Sequence, residues 1–189
     1  AIKSFLENFP KIRVSITVDP DNVLPINYDV GIGGFIPNHS SLIQEELFSD
    51  YNQLYASEEY LNKFGVPYLP EDLDHHQLIT YKDKRSYHPH RSINLLLHAG
   101  KTSLSPLRMP YLEINSLSGM INAVSEGYGI GEIPVFAAKK NPQLKPVLPR
   151  IKGNTLPIFF IYQESRKNNK KIQTLCEYLK EYSIKYCKG

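Results

Sequence analysis

Asn115 and Ser116 stand immediately before a run, 117–126, whose first turn (Leu117, Ser118, Gly119) carries no acid. Its one acid, Glu126, lies at the far end. Asparagine and serine are the residue types that open helices. The N–H groups of such a start are unsatisfied and carry roughly half a positive charge. A carboxylate or other small anion fits that pole. A plain side-chain cap with water beyond it fits the same residues, and both readings stand at this point. Downstream, Gly131, Glu132, Ile133 and Pro134 end a short glycine-bearing strand, and a β-α-β unit would bring them beside Asn115 and Ser116. In open α/β sheets small ligands collect at strand ends of this kind.

Other chemistry finds little support. His75-His76 and His88-Pro89-His90 lack the i, i+4 helical spacing of a metal pair, and no cysteine lies close enough to complete a zinc set; no metal site is expected. The glycines of GYGIG (127–131) and GIGG (31–34) lack the dinucleotide spacing and lead into a proline-stopped strand or a turn instead of opening a helix. No phosphate loop or nucleophile elbow occurs. Glu132 and Tyr81 are the only titratable groups to nominate for acid–base work, and nothing fixes a partner beside either. The chain reads as a binder without catalysis and without a cofactor.

The elements that would position these residues follow from periodicity. Ala1–Phe9 places Ile2, Phe5, Leu6 and Phe9 at helical spacing. Lys11–Val18 alternates Ile12, Val14, Ile16 and Val18 with polar residues, predicting a half-buried strand. Tyr28–Gly34 predicts a short buried strand, and Leu42–Leu54 predicts extended pieces on either side of Ser49-Asp50. Ser57 caps a helix to Phe64 that Gly65 closes, with Tyr60 and Leu61 inward and Glu58 and Glu59 at its positive end. Further strands are expected at Gln77–Tyr81, Ser92–His98, Pro110–Asn115, Gly129–Ile133 and Leu156–Tyr162, with a turn of helix from Pro70. The helix from Ser116 should turn Leu117, Met120, Ile121 and Val124 inward. A last helix over Lys167–Lys185 should bury a stripe of Ile172, Leu175, Cys176, Leu179 and Tyr182. Alternating strands and helices predict an α/β fold with mainly parallel pairing.

Composition sets the frame. With 189 residues, 41% hydrophobic and 22% charged, the chain can build an ordinary core. A net charge of +3, scattered apart from 166–171, gives no nucleic-acid footprint. No apolar run reaches the length of a membrane span, so no membrane partner is expected. Two cysteines, Cys176 and Cys187, fit a reducing compartment and a cytoplasmic location. The chain opens directly on helical spacing without a methionine, which reads as a piece of a longer protein.

The series FLENFPKIRVSITV, YDVGIGG, LYASEEYLNKFGVPYLPEDLDHHQLITY, NSLSGMINAVSEGYGIGEIP, LKPVLP and IFFIYQESRKNNKKIQTLCEYLKEY resembles, in order and spacing, the effector-binding (regulatory) domain of LysR-type transcriptional regulators. That resemblance implies two Rossmann-like lobes joined by two crossover strands, of the type II periplasmic-binding-protein kind. It assigns 1–47 with 164–189 to one lobe, lacking its first strand, and 48–163 to the other. The crossovers would fall at Glu46–Asp50 and Tyr162–Ser165. It implies a small-molecule effector, an organic anion being one candidate, lined by Thr80, Tyr81, Lys82, Asn115, Ser116, Leu117, Gly131, Glu132, Ile133 and Pro134, with Gly33 and Phe35 from the other lobe. DNA would be contacted only by an N-terminal helix-turn-helix outside this chain. It also implies a homodimer or higher homo-oligomer, with Ile2, Phe5, Phe9 and Lys11–Val18 as a candidate contact. Gly33 stands where one branch of the family commonly has arginine, and the chain has no tryptophan; Lys82 is the substitute cation to consider. A secreted solute-binding protein on the same plan would need an intact first strand and a signal segment. An enzyme would need paired titratable groups at the site.

Overall fold

The computed structural model describes residues 1–19, 24–82 and 94–186. The chain divides into two compact units, Ala1–Ser49 with Pro157–Gly189, and Asp50–Leu156. Two long strands, β2 (Leu42–Ser57) and β6 (Leu144–Gln163), carry the chain across both divisions. β2 runs without a break through Ser49 and Asp50, where two extended pieces were expected. The hydrogen-bonded strand order is β1-β6-β2-β5-β3-β4.

In the first unit, α1 (Ile2–Asn8) buries Phe5, whose ring packs at a tilt against Phe9 at 4.9 Å and meets Tyr178 edge-on at 5.3 Å. Phe5 is therefore core, not a surface contact. β1 (Gly31–Gly33) is shorter than the predicted strand and only half-buried, pairing antiparallel with Phe159–Ile161 of β6. α6 (Lys170–Tyr186) starts where Asn169 Oδ1 accepts the Lys171 N–H. It buries Ile172, Cys176 and Leu179 against Phe160 and Tyr162, the stripe its spacing predicts. At the edge of that core Glu45 accepts the Tyr162 hydroxyl at 2.8 Å and Lys180 Nζ at 2.6 Å.

The segment 12–19 corrects the prediction of a strand over Lys11–Val18. It has no regular secondary structure and joins no ladder, and Val14, Ile16 and Val18 are exposed. Alternation favours an extended backbone; a strand exists only when a neighbour supplies hydrogen bonds.

The second unit is built on β3 (Leu78–Tyr81), which runs parallel to both β4 (Leu112–Ile114) and β5 (Ile130–Pro134). β5 pairs antiparallel with β2, so pairing in the chain is mixed and not mainly parallel. Period-two alternation sends Leu54, Leu78 and Ile130 to one face and Tyr55, Ile79 and Ile133 to the other. The first face is covered by α2 (Glu58–Phe64) and α3 (Leu95–His98), the second by α4 (Leu117–Ser125) and α5 (Val135–Ala138). Ser57 caps α2 through Tyr60 N–H at 3.1 Å, as its sequence predicts. Met120 and Val124 of α4 are buried and Ile121 partly so, whereas Leu117 is exposed at the helix start, against expectation. The strand predicted over Ser92–His98 is instead helix from Leu95, residues 92 and 93 lying outside the described residues. A run of leucines does not by itself distinguish helix from strand. Here Leu96 is fully buried against the sheet and Leu95 N–H is held by Glu132.

Candidate functional site

Parallel pairing brings the carboxyl ends of β3 and β4 to one edge. Tyr81 lies opposite Ile114, and Lys82 N–H donates to Ile114 O at 2.9 Å. Asn115, Ser116 and Leu117 follow at once, all exposed. β5 runs alongside β3 in the same sense, with Ile79 opposite Gly131. Lys82, Asn115, Ser116 and Leu117 thus form an accessible group at one strand edge, with Tyr81 half-buried behind them.

The α4 start is partly capped. Ser116 Oγ accepts the Gly119 N–H at 3.3 Å, so one of the four open donors is satisfied by the chain itself. Lys82 Nζ lies 3.4 Å from Glu113, with both side chains about half exposed. Solvent weakens such a pair, leaving Lys82 a reachable cation, although not an isolated one.

The remaining predicted residues take other positions. Thr80, Gly131, Glu132, Ile133 and Pro134 are buried, because the strand ends they occupy are covered on both faces. Glu132 Oε2 accepts the Leu95 N–H at 2.7 Å. Burial pushes its carboxyl up to about 7, against the opposing pull of the Leu95 N–H and of the neighbouring Asn52 side chain. These residues can only support the exposed ones from below. Gly33 and Phe35 belong to the first unit, where Phe35 is half exposed and its ring lies 5.5 Å from that of Phe159. The same unit carries two open hollows of about 580 and 590 Å³ that share His39 and Leu42. Of the predicted residues only Phe35 lines either.

Three residues that sequence reasoning passed over organise the second unit. Asn94 clamps the end of β3, accepting Tyr81 N–H at 3.2 Å and donating to Tyr81 O at 3.3 Å. Asn52 lies buried on β2, and Arg108 is buried among backbone carbonyls. Asparagine directly before a leucine run was the readable signal for Asn94; the other two carry none. His76 is occupied by the Tyr60 hydroxyl, 3.2 Å from Nδ1. Among the described residues no cluster of three metal-ligand types forms, and His88 and His90 lie outside them.

A family model described as LysR substrate binding domain matches residues 1–183. The chain is 24% identical over 185 residues to the HTH-type transcriptional activator AaeR of Escherichia coli, covering 95% of this chain and 58% of that protein. An HTH-type transcriptional regulator of Haemophilus influenzae is 23% identical over 171 residues, 87% of this chain and 57% of its own length. The chain thus spans little more than half the length of these relatives. Among solved structures, the regulatory domain of CrgA, a LysR-type transcriptional regulator from Neisseria meningitidis, superposes with TM-score 0.77 at 21% identity, over 96% of this chain and 89% of that one. The regulatory domain of AphB from Vibrio vulnificus gives 0.67 at 25%, over 96% and 89%.

Proposed function

This chain belongs to the LysR substrate binding domain family, and from that premise we propose that it senses a small molecule on behalf of a larger cytoplasmic transcriptional regulator. The family match over 1–183 carries the reading, supported by the type II periplasmic-binding-protein fold of its structural neighbours. DNA contact is proposed for a part of the protein outside this chain, and pairing of two copies for the full regulator. The effector is proposed to sit at the strand edge of the second unit. An organic anion would be held there by Lys82, Asn115, Ser116 and the remaining N–H groups of α4. Tyr81 and Leu117 would flank it, and Thr80 with Gly131–Pro134 would support them. No catalytic step is assigned, since Glu132 is sealed from solvent. A ligand of this kind acts only as far as it binds one arrangement of the protein better than another.

Thermal unfolding against a panel of small aliphatic and aromatic carboxylates tests this reading. A true effector at about 100 times its dissociation constant stabilises by about 2.7 kcal/mol, easily seen as a shift. The Ser116→Ala and Lys82→Met variants should lose most of that shift. A full shift in both variants would place the site elsewhere, and no shift with any acid would count against an anionic effector.

A further inference from the structure

Glu132 Oε1 and Asn52 Oδ1 are both buried and have no hydrogen-bond partner among the described residues. Their residues are 1% and 2% exposed. The two side chains share a face of the antiparallel β2–β5 pair: Leu54 lies opposite Glu132, and Asn52, two residues back along β2, lies opposite Pro134. A third strand closes over them. A methyl group on Gly153 of β6 would stand 2.7 Å from Glu132 Oε1 and 3.0 Å from Asn52 Cβ, so only glycine leaves room for the pair. Glu132 Oε2 is already engaged by the Leu95 N–H.

Two acceptor oxygens cannot bond one another, but a carboxylic acid has a donor to offer. We propose that Glu132 is protonated in the folded chain and donates that hydrogen to Asn52 Oδ1, so that the pair is a proton-binding site inside the second unit. One proton then satisfies both orphaned oxygens and removes a buried charge. Burial is the leading cause of the high proton affinity of Glu132. Within the second unit, the titratable groups on the elements packed against it are Asp50, Tyr51 and Tyr55 on β2, Tyr81 on β3, His98 on α3, and Lys145, Arg150 and Lys152 on β6. None is among the causes of its shift; α4 and α5 carry no titratable side chain. Asp50 is engaged by Phe136 N–H at 2.8 Å, and Lys152 lies over the Tyr51 ring at 4.8 Å.

Folded, the carboxyl keeps its proton to about 7; unfolded, it loses it near the ordinary value of 4.5. The stabilisation is therefore complete below that ordinary value and lost as pH rises through about 7. Carbon-13 NMR of the glutamate-labelled chain reads the group directly, with the Glu132 carboxyl resonance identified by its absence in Glu132→Gln. A midpoint near 7, followed in parallel by the Leu95 amide, is expected. A midpoint in the ordinary carboxylate range would overturn the proposal, because an Asn52 amide turned to donate would then be serving an ionised carboxylate. Glu132→Gln supplies a permanent donor to Asn52, so its melting temperature should fall less than the parent's between pH 5 and pH 8. An undiminished fall would also overturn it. Should the variant not fold, the Leu95 amide titration of the parent chain still decides. Neither measurement involves an effector, so this inference stands or falls separately from the functional one.

Discussion

Arg108 joins parts of the second unit that no strand ladder connects. Its guanidinium donates to Asp74 at 2.5 Å, to the carbonyls of Leu96 and Ala99 at 2.9 and 2.6 Å, and to that of Pro70 at 2.9 Å. A lysine has a point charge in place of this fork and cannot reach all four acceptors. Arg108→Lys should lower stability by about 2 to 3 kcal/mol, through buried carbonyls left without donors, and a urea titration would show it as a reduced midpoint with an unchanged slope. Cys176 presents a different residue-scale expectation. It is almost fully buried, and burial, with Glu45 alongside, pushes its thiol up to about 11. The reactive species is the thiolate, so alkylation of the native chain at pH 8 should leave Cys176 unmodified by peptide mapping until denaturant is added. Native labelling at the rate of a free thiol would contradict the packing of α6 against Glu45.

At the scale of elements, Gly129 permits the β3–β5 pairing. A methyl group there would stand 2.4 Å from the Gln77 carbonyl, the same oxygen that accepts the Ile130 N–H at 2.9 Å. Gly129→Ala should therefore cost about 1 to 3 kcal/mol, the usual range for forcing extra volume into a packed site. Ser57→Ala, losing only the cap of α2, should cost about 1 kcal/mol; paired thermal melts would rank them in that order. These contrasts show what the sequence could reveal. The helices over 58–64 and 117–125 were legible because their signals are local: a serine, a period and a glycine stop. The four-residue turn of chain that became α3 was not, since its first N–H is held by a carboxylate 37 residues away. The segment 12–19 has the pattern of a strand and lacks the neighbour that makes one. The strand edge at Lys82 and Ser116 was readable from the β-α-β order, whereas the burial of Thr80 and Gly131–Pro134 depends on layers that only the folded chain assembles.

For the whole molecule, ionisation acts in two opposing directions. Glu45 is held below the usual carboxylate range, first by the Lys180 hydrogen bond. Asp72 is held down by the N–H groups of Leu69 and Tyr68, and Asp74 by Lys101 and Arg108. Their contributions are present above the unfolded values and fade as pH falls. Glu132 contributes in the opposite sense, losing its share as pH climbs toward 7. The melting temperature should accordingly peak on the weakly acid side, at about pH 5, and scanning calorimetry across pH 3 to 8 would locate the peak. A peak above neutrality would mean that Glu132 is not the dominant alkaline-side group. The lattice of bonds around Arg108 has a consequence for digestion. Trypsin must take an arginine side chain into its own acidic pocket, and this one is enclosed by its own chain, whereas Lys139 and Lys140 at the end of α5 are exposed. Scission after Arg108 should lag behind scission at those lysines, and its rate should report how often the 99–108 loop comes undone.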